Sequence, residues 1–61
     1  MLTFEQAEAL LTPEQRSELA RCMLERTPLP EALSDAQRTF YFGLSILCEY
    51  EALEDVKRYI L

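Results

Sequence analysis

The sequence predicts an all-α fold: a small three-helix domain with a long C-terminal helix. Three observations carry that expectation. Three stretches repeat one helix-start pattern, no stretch shows the alternation of a strand, and the prolines fall where helices begin or end.

The helix starts are Thr3-Phe4-Glu5-Gln6, Thr12-Pro13-Glu14-Gln15 and Ser34-Asp35-Ala36-Gln37. Each is a capping box. The hydroxyl accepts from the third helical amide, and the Gln side chain reaches back to the cap amide. Each also places an acidic residue in the first turn, where the helix dipole favours it.

The first helix is expected over residues 4–11. Pro13 disfavours helical geometry at Thr12, so the chain bends there. The second is expected over 13–26, with Pro13 in the first position, where a missing N–H costs nothing. Its apolar stripe is Leu19, Ala20, Met23 and Leu24, and Glu14, Glu18, Arg21 and Glu25 lie on the far side. Thr27-Pro28-Leu29-Pro30 ends it. The third is expected over 35–59, a length of ~38 Å at 1.5 Å per residue. Residues 1–61 form a single domain, with no linker, low-complexity segment or transmembrane span.

The third helix holds the most apolar run, FYFGLSIL, and the only glycine, Gly43. At 100° per residue it carries two stripes. Phe42, Ile46, Leu53, Val56 and Ile60, with Tyr50 at the edge, run its full length and are expected to pack on the first two helices. Phe40, Leu44, Leu47 and Cys48, with Tyr41 beside them, lie on the opposite side of its first half. Leaving Phe40, Leu44 and Leu47 in water would forgo roughly 1.5–3 kcal/mol each. Two covers fit this second stripe. In one, the first helix and the 27–33 connection fold across it, bringing Phe4, Leu10, Leu11, Leu29 and Leu33. In the other it is an intermolecular surface for a homodimer or a bound target. Gly43 weakens the helix by ~1 kcal/mol relative to Ala. It is either simply tolerated or there to let another element cross close to the backbone.

A chain of this size buries only ~60% of its unfolded surface, and its core alone supplies about 3–5 kcal/mol. A Cys22–Cys48 disulfide would add roughly 3 kcal/mol. Met1-Leu2-Thr3-Phe4-Glu5 has no basic segment followed by a long apolar core, so the expectation is reduced thiols and a cytoplasmic location. No cofactor or metal is expected: histidine is absent, and the cysteines lack paired spacing. With no histidine base and no Gly-rich phosphate loop, an enzyme is not expected either.

Eleven acidic against six basic residues give a formal charge of −5. That balance disfavours direct contact with nucleic acid or an anionic membrane. Glu49, Glu51, Glu54 and Asp55 form a candidate acidic face for a larger protein with a basic surface. Glu14, Glu18 and Glu25 extend the acid, and Tyr50 and Tyr59 offer anchors. Glu54 and Asp55 are also placed to pair with Arg58, and a solvated helix face is the plain alternative. In size and acidity the chain is similar to small phage-encoded inhibitors of host defence, including anti-CRISPR proteins, which would place it in a bacterial host cell. That likeness is one of type, carried by no residue motif. The expected function is therefore a non-enzymatic inhibitor that blocks a basic or nucleic-acid-handling protein. Its alternatives are a homodimeric adaptor or assembly factor, using Phe40, Tyr41, Leu44, Leu47 and Cys48, and an antitoxin-like regulatory partner.

Overall fold

A computed structural model describes residues 1–50 and 52–61. It contains four helices: α1 (Phe4–Leu10), α2 (Pro13–Glu25), α3 (Asp35–Glu49) and α4 (Leu53–Lys57). No strand occurs among the described residues.

All three capping boxes form, and in both directions. The cap amides of Thr3, Thr12 and Ser34 donate to Gln6, Gln15 and Gln37 Oε1 at 2.9, 2.9 and 2.7 Å. The Gln amides donate back to the hydroxyls at 3.1, 3.1 and 3.2 Å. Each box satisfies two donors that a helix start otherwise leaves bare. The far ends are less regular. Arg16 Nη1 donates to the Glu8 carbonyl at 2.7 Å, closing the end of α1. α2 ends at Arg26, whose φ of 57° is left-handed, a position where a glycine is usual.

α3 is the central element and packs against α1, α2 and α4. Phe40 and Leu44 are fully buried at its inner side, together with Ala7, Leu19, Ala20 and Val56. The Phe4 ring stacks on Phe40 with centroids 5.1 Å apart, and the Tyr59 ring meets Phe40 edge-on at 4.9 Å. Leu29 and Leu33 close over the same core. The first helix and the connection after α2 thus cover the second stripe, through Phe4, Leu11, Leu29 and Leu33, while Leu10 stands 66% exposed and Val56 and Tyr59 complete the cover.

Gly43 is explained by the same contact. A Cβ there would fall 2.5 Å from Phe4 Cε1 and nearer still to Cδ1. Phe4 could yield only by giving up its stacking on Phe40. The glycine gives up helix propensity so that an aromatic ring can lie on the α3 backbone.

Two expectations are corrected. The long C-terminal helix does not form: α3 stops at Glu49, and a short α4 begins at Leu53. No proline or glycine marks this break. An uninterrupted helix of ~38 Å would overrun a molecule whose longest dimension is 25 Å. Breaking returns Val56 to full burial and Tyr59 to the Phe40 ring. The Ala52 amide donates to the Leu47 carbonyl at 2.9 Å, which satisfies part of the α3 end.

The second correction follows from the first. The stripe expected to be core divides. Val56 is buried and Ile60 packs on the core, but Phe42 is 66% exposed, Ile46 39%, Leu53 42% and Tyr50 79%. A break resets the helical phase, so residues aligned on one continuous helix no longer share a side.

Candidate functional site

Of the expected acidic face, Glu49 is exposed in the last turn of α3, and Glu51 lies outside the described residues. Glu54 pairs with Lys57 at 3.6 Å, and Asp55 with Arg58 at 3.3 Å. The Asp55 pair is as expected, while Glu54 takes Lys57 rather than Arg58. Both pairs largely neutralise the acid of α4, although exposed pairs of this kind stabilise by only ~0–1 kcal/mol.

Among the described residues, the largest group of unpaired acid on one helix lies on α2 instead, with Glu5, Glu31 and Glu49 scattered elsewhere. Glu14, Glu18 and Glu25 are exposed on one stripe and form no ion pair among the described residues. Arg21 shares the stripe, but its Nη2 donates to the main-chain oxygen of Leu61 at 2.9 Å. The Leu61 amide donates to Ser17 Oγ at 3.1 Å, so the chain end is fastened along α2. Cations elsewhere are similarly occupied. Arg16 holds the Glu8 carbonyl, Arg38 holds Asp35 at 2.5 Å, and Lys57 and Arg58 hold the α4 acids. Among the described residues only Arg26, of the six basic side chains, makes no such bond.

The expected apolar contact surface is mostly interior. Phe40 and Leu44 are fully buried within the single chain, and Leu47, Tyr41 and Cys48 are half-buried against the same core. Both cysteines are free thiols; Cys22 Sγ lies 3.9 Å from the Pro28 carbonyl oxygen.

One cluster of polar groups joins distant parts of the chain. The Tyr59 hydroxyl donates to the Glu8 carboxylate at the rim of a cleft of about 330 Å³ lined also by Arg16 and Arg58. Burial, the hydrogen bond to Glu8 and the Glu8 charge together push the Tyr59 pKa up to about 12. A tyrosine raised in this way keeps its proton at neutral pH and serves as a donor, not as a base. The group ties α1 to the chain beyond α4. No sequence pattern pointed to it, because its members are 51 positions apart.

A further open feature is an apolar groove of about 590 Å³ between the N-terminal segment and α3. Met1, Leu2, Phe4, Phe42, Gly43 and Ile46 line it. Periodicity identified Phe42 and Ile46 as apolar but assigned them to the interior. No family model, no curated protein and no solved structure matches this chain.

Proposed function

We propose that this chain is a non-enzymatic binding protein whose acidic α2 face docks on the basic surface of a larger protein. The observation that carries the reading is the contrast in how charge is used. Five of the six basic side chains bond internal partners, while among the described residues Glu14, Glu18 and Glu25 stand exposed without a cation. Such a surface attracts and orients a basic partner, and it repels phosphates.

A partner rich in Lys and Arg is commonly one that handles nucleic acid, and an acidic cover over its groove would block access. The reading therefore extends to an inhibitor of such a protein in the cytoplasm of a bacterial host, of the general type that includes anti-CRISPR proteins.

The test is capture from a nuclease-treated bacterial lysate, with the wild-type chain beside a Glu14→Gln, Glu18→Gln, Glu25→Gln variant. The expected result is one stoichiometric basic protein, released as salt rises and missing with the variant. Equal capture by both chains, or capture indifferent to salt, would reject the acidic face as the binding surface.

A further inference from the structure

The outward face of α3 is left open by the rest of the chain. Phe42 and Ile46 occupy its middle at 66% and 39% exposure, on the side opposite buried Leu44. Arg38 stands one turn before Phe42, and Glu49 stands one turn after Ile46. Met1 and Leu2 wall the groove beside them.

We propose that this face pairs with a second copy of the chain about a twofold axis, with the two α3 helices antiparallel. The face is complementary to itself in that arrangement and in no parallel one. With the axis level with residue 44, each Phe42 lies beside the partner's Ile46. Arg38 then comes within one residue, ~1.5 Å along the axis, of the partner's Glu49. Arg38 and Glu49 are eleven residues apart in one chain, so they share a flank of the helix to within about 20° at 3.6 residues per turn. An antiparallel twofold keeps that flank matched, and opposite charges meet twice. A parallel twofold would put the two Arg38, and the two Glu49, level with each other on opposite flanks of the seam, with no opposite charge across from either. Arg38 already bonds Asp35 on its own helix, but both side chains are well exposed, and a guanidinium with several donors can keep that bond and reach Glu49 as well.

The net charge of −5 does not oppose this contact. The bare carboxylates of α2 are on its outer side, and α2 packs on the inner side of α3, so they stay apart in the pair, while Glu49 meets an Arg38. Pairing would bury apolar surface of the kind that soluble monomers keep small, in a chain with no disulfide to brace it.

The test is sedimentation equilibrium of the full chain and its variants. Wild type is expected at twice 7.1 kDa. Phe42→Glu and Ile46→Glu are expected to sediment as monomers with unchanged helical circular dichroism, since both positions are exposed in the single chain. Arg38→Glu and Glu49→Arg should each weaken association at least about tenfold, and the two combined should restore it. A wild-type mass of 7.1 kDa at about 1 mM, where any contact tighter than millimolar would register, would overturn the proposal. So would a dimer that survives Phe42→Glu, or a double exchange that fails to restore pairing. The α2 carboxylates play no part, so Glu14→Gln, Glu18→Gln, Glu25→Gln should leave the dimer mass unchanged whatever becomes of the docking face.

Discussion

The two sides of α3 are built from the same kinds of residue and have opposite fates. Phe40 and Leu44 on one side are sealed from water, while Phe42 and Ile46, two residues along, stand open. Hydrophobicity does not separate them. The difference lies in what the rest of the chain delivers: Phe4, Tyr59, Val56, Leu29 and Leu33 all arrive on the inner side. An apolar stripe becomes core only where other elements can reach it, and here the reach is set by a break in the helix that follows.

Truncations on the two sides should separate them most. Leu44→Ala removes a fully buried side chain and is expected to cost ~2–5 kcal/mol, comparable to the whole stability of a chain this small. Ile46→Ala in dilute solution should cost less than ~1 kcal/mol. Urea denaturation followed by circular dichroism measures both, and similar costs would erase the distinction.

Gly43 sits between the two sides and sharpens the comparison. Gly43→Ala improves helix propensity by ~1 kcal/mol, yet its methyl would invade the Phe4 ring, an overpacking that costs ~1–3 kcal/mol. Net destabilisation is expected, and with Phe4→Ala in the background the same change should become stabilising. Thermal melts of the four chains in that cycle decide it.

Tyr59 reports on the inner side through pH. Its folded pKa, about 12, lies above the ordinary 10.0. Below pH 10 both folded and unfolded chains keep the proton, and the contribution is complete. As pH rises toward 12 the unfolded chain releases it first, so stability falls across that window. Tyr59→Phe should lack this fall, as measured by melting temperature against pH. The smallest effect is expected far from both sides, at the α2 end. Arg26→Gly should stabilise by ~0.5–1 kcal/mol, because glycine adopts φ of 57° without penalty. A melt that drops instead would mean the Arg26 side chain holds something of its own.

Local chemistry was legible in the sequence, and long-range phase was not. Each capping box is written within four residues, so Thr3, Thr12 and Ser34 could be read directly, and all three formed. The break after α3 has no local sign. Only the benefit of returning Val56 and Tyr59 to the core produces it, and a helical wheel drawn through residues 50–52 cannot register that. The misplaced stripe is the same error carried forward, since the wheel assumed one continuous phase. The shift of bare acid from α4 to α2 is similar in kind. Lys57 and Arg58 stand three residues after Glu54 and Asp55, a pairing that spacing already allowed. That Arg21 would turn to Leu61, forty positions away, depends on the tertiary fold.

The most direct test of the account is helical circular dichroism of Phe40→Ser beside Phe42→Ser, in solutions dilute enough that association plays no part. Phe42→Ser is expected to keep the wild-type spectrum and melting midpoint to within a few degrees, while Phe40→Ser should lose most of its helix. A folded Phe40→Ser beside an unfolded Phe42→Ser would contradict it, turning α3 over and removing the open face on which the twofold pairing depends.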